Sequence, residues 1–178
     1  MKKNLYIMCG ISGSGKSSFV RRNLKENEVH ISRDNIRFSL VKENEDYFSK
    51  EKLVFKKFVE QIQDAIDDVK IKSIYADATH LNEKSRLKLL NSLTLTSSIR
   101  IIPIYFNIPL NIAIARNSRR TGREFVPISA IKNQYYNYSY PEFNEIKRFY
   151  NEIWSINEDN EITKIILESV KNEHLRNE

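Results

Sequence analysis

The sequence predicts an α/β fold, a parallel central sheet of about five strands with helices on both faces. Three observations carry that prediction. Short apolar runs alternate with amphipathic stretches of helical length along the chain, the pattern of repeated β-α units. Three of the four glycines, Gly10, Gly13 and Gly15, lie within six residues directly after the first apolar run, where ligands bind beyond the carboxyl ends of such strands. A chain of 178 residues with 40% apolar positions buries about 68–70% of the surface it exposes unfolded, enough for one core and too little for two catalytic domains. Residues 1–178 therefore read as one domain.

Leu5 to Cys9 is a short apolar run stopped by glycine, as for a strand buried on both faces. Ser17 to Glu26 reads as a helix, Val29 to Ser32 as a second strand, and Asp34 to Val41 as a helix opened by residues that favour helix starts. From Ser49 to Val69, the residues Phe55, Phe58, Val59, Ile62, Ile66 and Val69 repeat at the spacing of one helical face. Lys72 to Asp77 is a third strand, Asn82 to Leu93 a helix, Ile99 to Phe106 a fourth strand, and Pro109 to Ser118 a helix with proline at its first position. After an Arg-rich stretch from Arg116 to Arg123, a helix starts near Pro127, followed by a strand from Phe149 to Ile156 and a last helix from Ile162 to Val170. Asn172 to Glu178 reads as a frayed polar tail.

Gly10-Ile11-Ser12-Gly13-Ser14-Gly15-Lys16-Ser17 matches G-x-x-x-x-G-K-[ST] between a strand and a helix start. In such a loop the backbone N–H groups turn inward on phosphates and the following helix adds its positive end. Lys16 reaches the β/γ oxygens, and the Ser17 hydroxyl ligates Mg²⁺. The fold class sharpens to a P-loop NTPase with ATP and Mg²⁺ as cofactors. Gly10, Ser12, Gly13, Ser14, Gly15, Lys16, Ser17 and Ser18 surround the nucleotide. A regulatory GTPase is disfavoured, because no Asn-Lys-x-Asp and no Asp-x-x-Gly segment occurs. Motor ATPases usually need a larger module.

Asp34, in Ser32-Arg33-Asp34-Asn35-Ile36-Arg37, follows the second strand and falls near the phosphates. A carboxylate there takes the proton of an acceptor hydroxyl, and Arg37, three residues on, holds an anionic acceptor. The same spacing equally describes a helix cap paired with a surface arginine. Asp77 closes the third strand, a position that supports Mg²⁺, anchors an arginine or caps the next helix. Arg116, Arg119, Arg120 and Arg123 surround Thr121-Gly122, so residues 116–127 form either a lid whose arginines stabilise charge on the transferring phosphoryl or an ordinary basic loop.

Four segments together resemble the 5′-polynucleotide kinase family of P-loop kinases, from Lys3 to about Tyr140. They are Gly10 to Ser17, Ser32 to Arg37, Asp77-Ala78-Thr79-His80-Leu81-Asn82, and Arg116-Asn117-Ser118-Arg119-Arg120-Thr121-Gly122 before Val126-Pro127-Ile128. The resemblance implies that Lys16 and Ser17 handle ATP and Mg²⁺, that Asp34 is the general base, and that Arg37 binds the phosphate next to the acceptor's 5′-hydroxyl. It also implies that Arg120 acts on ATP from the lid, with Arg116 a second lid arginine and Asp77 a supporting carboxylate. The implied substrate is 5′-hydroxyl DNA or RNA. The stretch Arg119 to Arg123 carries one residue more than the family pattern, and no Asp-x-Asp-x-Thr phosphatase motif occurs. Two other readings stay open: a P-loop kinase of a nucleoside, modified base or other small hydroxyl acceptor, and a non-catalytic ATP-binding module.

The formal charge of +6 favours an anionic partner, which ATP alone would satisfy. Tyr135 and Tyr138 share a helical face and are expected to pack inward rather than stack on bases. His30, His80, His174 and Cys9 read as structural or surface residues. No apolar run approaches the ~20 residues of a membrane span, no signal-peptide pattern follows Met1, and Cys9 has no internal disulfide partner. The expectation is a cytoplasmic protein, in the host cytoplasm for a phage-encoded chain, without membrane contact.

Overall fold

A computed structural model describes residues 2–167. Six strands, β1 (Lys3–Cys9), β2 (Glu28–Ser32), β3 (Ser73–Asp77), β4 (Ile99–Phe106), β5 (Glu152–Ile156) and β6 (Ile162–Ile166), form one sheet in the order β2-β3-β1-β4-β5-β6. The first five are parallel, and β6 runs antiparallel on β5. The helices are α1 (Lys16–Asn23), α2 (Arg33–Leu40), α3 (Glu51–Asp67), α4 (Glu83–Leu90), α5 (Leu110–Asn117), α6 (Ile128–Tyr136) and α7 (Phe143–Phe149), with a 3₁₀ turn at Gly122–Glu124. No helix among the described residues is long and apolar enough to cross a membrane.

Alternation along β1 divides the core. Leu5, Ile7 and Cys9 face Val54, Phe58 and Ile62 of α3 and Leu89 and Leu90 of α4, whereas Tyr6 and Met8 face Phe19 and Val20 of α1, Ala113 of α5 and Ile131 of α6. Helices thus cover both faces, as β-α crossovers require. A fully buried ion pair, Arg86 Nη2 to Glu145 Oε2 at 2.8 Å, ties α4 to α7. Arg86 also donates to the carbonyls of Ser139 and Tyr140, which fixes the chain between α6 and α7 over the sheet.

Three expectations need correction. Residues 162–166, expected as the start of a helix from Ile162 to Val170, form β6; residues 168–170 and the tail at 172–178 lie outside the described residues. Ile162, Thr163, Ile165 and Ile166 are β-branched, and Asn157 accepts from the N–H groups of Asp159 and Glu161 while Asn160 adopts φ 64°. That turn folds the run back on β5 as a hairpin. The strand expected from Phe149 begins only at Glu152, because α7 ends at Phe149 and is closed at its start by a capping box between Glu142 and Glu145. Val69, placed on the inward face of the long helix, lies beyond its end and is exposed.

Candidate active site

The glycines of the loop between β1 and α1 hold conformations that side chains resist. Gly13 and Gly15 sit at φ 82° and 96°, and a Cβ on Gly13 would lie 2.2 Å from the Ala113 carbonyl oxygen of α5. Lys16 is buried inside the loop, its Nζ donating to the carbonyls of Gly10 and Ile11 at 2.8 Å each and to Ser14 Oγ at 3.4 Å. Burial pushes the Lys16 pKa down, against the pull of the Asp77 and Asp34 charges, and the nearby positive charge of Arg120 pushes it further. Ser12 N–H donates to Gln134 Oε1 at 2.7 Å, which docks α6 on the loop. Ser18 lies exposed on α1. A glycine-lined loop with a buried lysine at a helix start fits a nucleotide's phosphates.

Asp77 is 5% exposed and accepts from Ser17 Oγ at 2.6 Å and from His30 Nε2 at 2.9 Å. Burial opposes its ionisation, but the bonds from His30 and Ser17 and the charge of Lys16 hold its carboxyl below the usual carboxylate range. Asp77 does not cap a helix, since Asn82 and Ser85 form the capping box of α4, and its partner is not an arginine. A hydroxyl tethered to a buried carboxylate beside the loop fits a divalent cation. His30, read from sequence as structural or surface, belongs to this cluster.

Asp34 stands in the first turn of α2, whose cap is Ser32, accepting from Asn35 N–H at 3.3 Å. The capping alternative for Asp34 therefore falls. Its side chain is 65% exposed, while that of Arg37 is 6% exposed, so the pair is not a mobile surface contact. Arg37 Nη1 donates to Asp34 Oδ1 at 2.6 Å and to Tyr47 Oη at 3.2 Å, Nη2 donates to Glu51 Oε2 at 2.7 Å, and Tyr47 Oη donates to Asp34 Oδ1 at 3.0 Å. The guanidinium lies over the rings of Tyr47 and Phe48, and Glu51 also pairs with Arg33. Burial works against the Arg37 charge, but Glu51, Tyr47 and Asp34 more than offset it and raise its pKa. No hydrogen bond among the described residues occupies Asp34 Oδ2, and Arg37 Nε is buried without a partner. Tyr47 and Glu51 carried no sequence signal, because the loop at 41–50 brings them to α2 from outside any helical spacing.

The Arg-rich segment is pinched at its base by Asn117, whose Nδ2 donates to Val126 O at 2.8 Å and whose Oδ1 accepts from Val126 N–H at 3.1 Å. Arg116, on α5, donates to the carbonyls of Ser14 at 3.4 Å and Glu158 at 3.5 Å. Arg120 donates to Glu124 O at 3.5 Å, and Arg119 is exposed. Tyr135 is exposed and Tyr138 lies past the end of α6, so they share no inward helical face; Tyr138 alone packs in, beside Tyr105, and donates to Cys9 O at 3.0 Å.

No curated protein matches the sequence significantly. Among solved structures the fold is similar to a chain of the Pnkp1/Rnl/Hen1 RNA repair complex, with TM-score 0.62, 23% identity, and coverage of 76% of this chain and 44% of that one. This chain thus spans less than half of that relative's length. A fungal RNA kinase is similar with TM-score 0.63, 16% identity and coverage of 89% and 75%. A sugar kinase from Janibacter sp. HTCC2649 is similar with TM-score 0.53, 16% identity and coverage of 99% and 94%. At these identities the likeness is one of fold, which does not select an acceptor. The family model AAA_33, described as AAA domain, matches residues 5–141, and the chain belongs to this AAA domain family of P-loop proteins.

Proposed function

We propose that this protein is a kinase that moves the γ-phosphate of ATP to the 5′-hydroxyl of a DNA or RNA strand. The observation that carries the reading is the exposed Asp34 carboxylate on α2. Arg37 and Tyr47 hold it through Oδ1, which leaves Oδ2 for a hydroxyl proton. A positioned carboxylate next to a phosphate loop is what a general base for phosphoryl transfer requires. The fold is shared with an RNA kinase and a chain of an RNA repair complex, which admits a polynucleotide acceptor without selecting it.

When bound, ATP supplies the phosphoryl group and Mg²⁺ neutralises charge on its β/γ oxygens. Lys16 and the loop would hold the phosphates, Ser17, oriented by Asp77, would hold the metal, and Arg120 and Arg116 would offset charge on the nucleotide. Asp34 takes the proton from the attacking hydroxyl. Arg37 orients Asp34 through Nη1, and its guanidinium charge beside Asp34 favours an acceptor that carries a phosphate next to the hydroxyl. The fold is equally shared with a sugar kinase, so a small hydroxyl acceptor is the second reading.

Arg37→Ala separates the two. Since Arg37 also holds Asp34, kcat falls for every acceptor, so the readout is the KM ratio between a 5′-hydroxyl nucleoside 3′-phosphate and the free nucleoside. The polynucleotide reading expects this ratio, low in the wild type, to approach one in the variant. A wild type that does not distinguish the two acceptors contradicts it.

A further inference from the structure

We infer that Arg123 is a positioning residue that couples the segment above the phosphate loop to the helix carrying the acceptor groups. The inference deepens the kinase reading and rests on it for its kinetic consequence, but not for its structural one. Between the Asn117 and Val126 pinch, the segment at 118–125 leaves α5 and reaches across to α2. Arg123 Nη2 donates to Val41 O at 2.8 Å and its Nη1 to Phe38 O at 3.4 Å, with the guanidinium 4.8 Å from the centroid of the Phe38 ring.

Phe38 O is among the last carbonyls of α2, which have no partner within the helix, and the negative end of the helix dipole favours a cation there. Lys50 Nζ takes a second one, Leu40 O, at 2.7 Å. The C-terminal end of α2 is thus closed by two cations. Lys50 comes from the loop leading into α3. Arg123 comes from the segment over the nucleotide site.

The two ends of the contact belong to different substrates. The segment leaves α5 at the end that meets the phosphate loop, where Arg116 Nη1 donates to Ser14 O at 3.4 Å and the Ala113 carbonyl abuts Gly13. At the other end, Phe38 directly follows Arg37 and lies one turn of α2 beyond Asp34. Whatever draws the segment onto the phosphate loop also fixes the end of α2 and so the orientation of Asp34. By linkage, an acceptor that orders α2 favours the same placement of the segment. Arg123 touches none of the reacting groups itself and acts through α2.

The test uses Arg123→Ala and Arg123→Lys in the full chain. Hydrogen exchange is followed at the α2 amides with and without a non-hydrolysable ATP analogue and Mg²⁺, with analogue binding measured by calorimetry. In the wild type the analogue is expected to slow exchange in the last turn of α2. Arg123→Ala is expected to bind the analogue and lose that slowing, and Arg123→Lys to restore part of it. In steady state, Arg123→Ala is expected to raise the acceptor KM about tenfold, the loss of roughly one charge-assisted bond, while the ATP KM moves less than threefold. A purely structural role would lower Tm and shift both KM values together. Equal slowing of α2 in wild type and Arg123→Ala overturns the inference, as does an ATP KM that rises as much as the acceptor KM. Should the wild type phosphorylate no oligonucleotide, the acceptor reading fails, and the exchange experiment still decides the coupling.

Discussion

Replacing Asp77 with asparagine tests the link between β3 and the phosphate loop. The carboxylate is buried and accepts from Ser17 and His30 at 2.6 and 2.9 Å. A hydrogen bond to a charged group contributes about 1.5–3 kcal/mol and a neutral one about 0.5–1.5 kcal/mol. The amide keeps the shape and can still accept from Ser17, so the two bonds together lose roughly 1–3 kcal/mol. At about 2–4 °C of Tm per kcal/mol for a domain of this size, Tm falls by about 2–12 °C. If Ser17 holds the metal as proposed, the effect on transfer should be larger, because a residue that orients a metal ligand is worth about 10- to 100-fold in activity. Calorimetry and steady-state transfer of labelled phosphate measure the two effects. Combining Asp77→Asn with Ser17→Ala should cost less than the sum, since the first weakens and the second removes the same contact. An Asp77→Asn protein with unchanged Tm and kcat within threefold of wild type would refute the reasoning.

Arg86→Leu leaves Glu145 charged and fully buried, and denaturant unfolding should show a loss of about 3–5 kcal/mol, whereas Arg86→Leu with Glu145→Leu should be milder than the single change. Burial holds the His80 imidazole down to about 4, below the ~6.5 of an unfolded chain. The unfolded state therefore binds the extra proton between those values, so this stability is complete above about pH 6.5 and lost as pH falls towards 4, at up to about 1.4 kcal/mol per unit. His80→Asn, which tolerates the φ of 40° at this position, should flatten that part of a urea-midpoint profile against pH. Gly13→Ala drives a Cβ against the Ala113 carbonyl at φ 82° and should weaken ATP binding by more than tenfold in calorimetric titration; affinity within twofold of wild type would show that the loop tolerates it.

What the sequence made legible was mainly local. The phosphate loop sits at Gly10 to Ser17 because its residues must be adjacent for backbone N–H groups to converge, and α3 was evident because Phe58, Ile62 and Ile66 repeat on one face. Asp34 and Arg37, one turn apart, were visible for the same reason. Their neighbours were not. His30 reaches Asp77 across the β2 and β3 pairing, and Tyr47 and Glu51 reach Arg37 through a loop, contacts that no spacing encodes. β6 was misread because its strand character depends on pairing with β5 through the Asn157 turn. The short α7 was readable in principle, from Glu142 and Glu145 as a capping box and Phe143, Ile146 and Phe149 on one face.

The most direct test of the central claim is a competition with γ-labelled ATP and Mg²⁺ over an equimolar mixture of a 5′-hydroxyl oligonucleotide, its 5′-phosphorylated form, a free nucleoside and a monosaccharide. Products are separated by chromatography, for wild type and Asp34→Ala. Label is expected on the 5′-hydroxyl oligonucleotide, at least tenfold above any other acceptor, and is expected to be lost in Asp34→Ala. Label on the nucleoside or sugar in preference to the oligonucleotide, or undiminished labelling by Asp34→Ala, would contradict that claim.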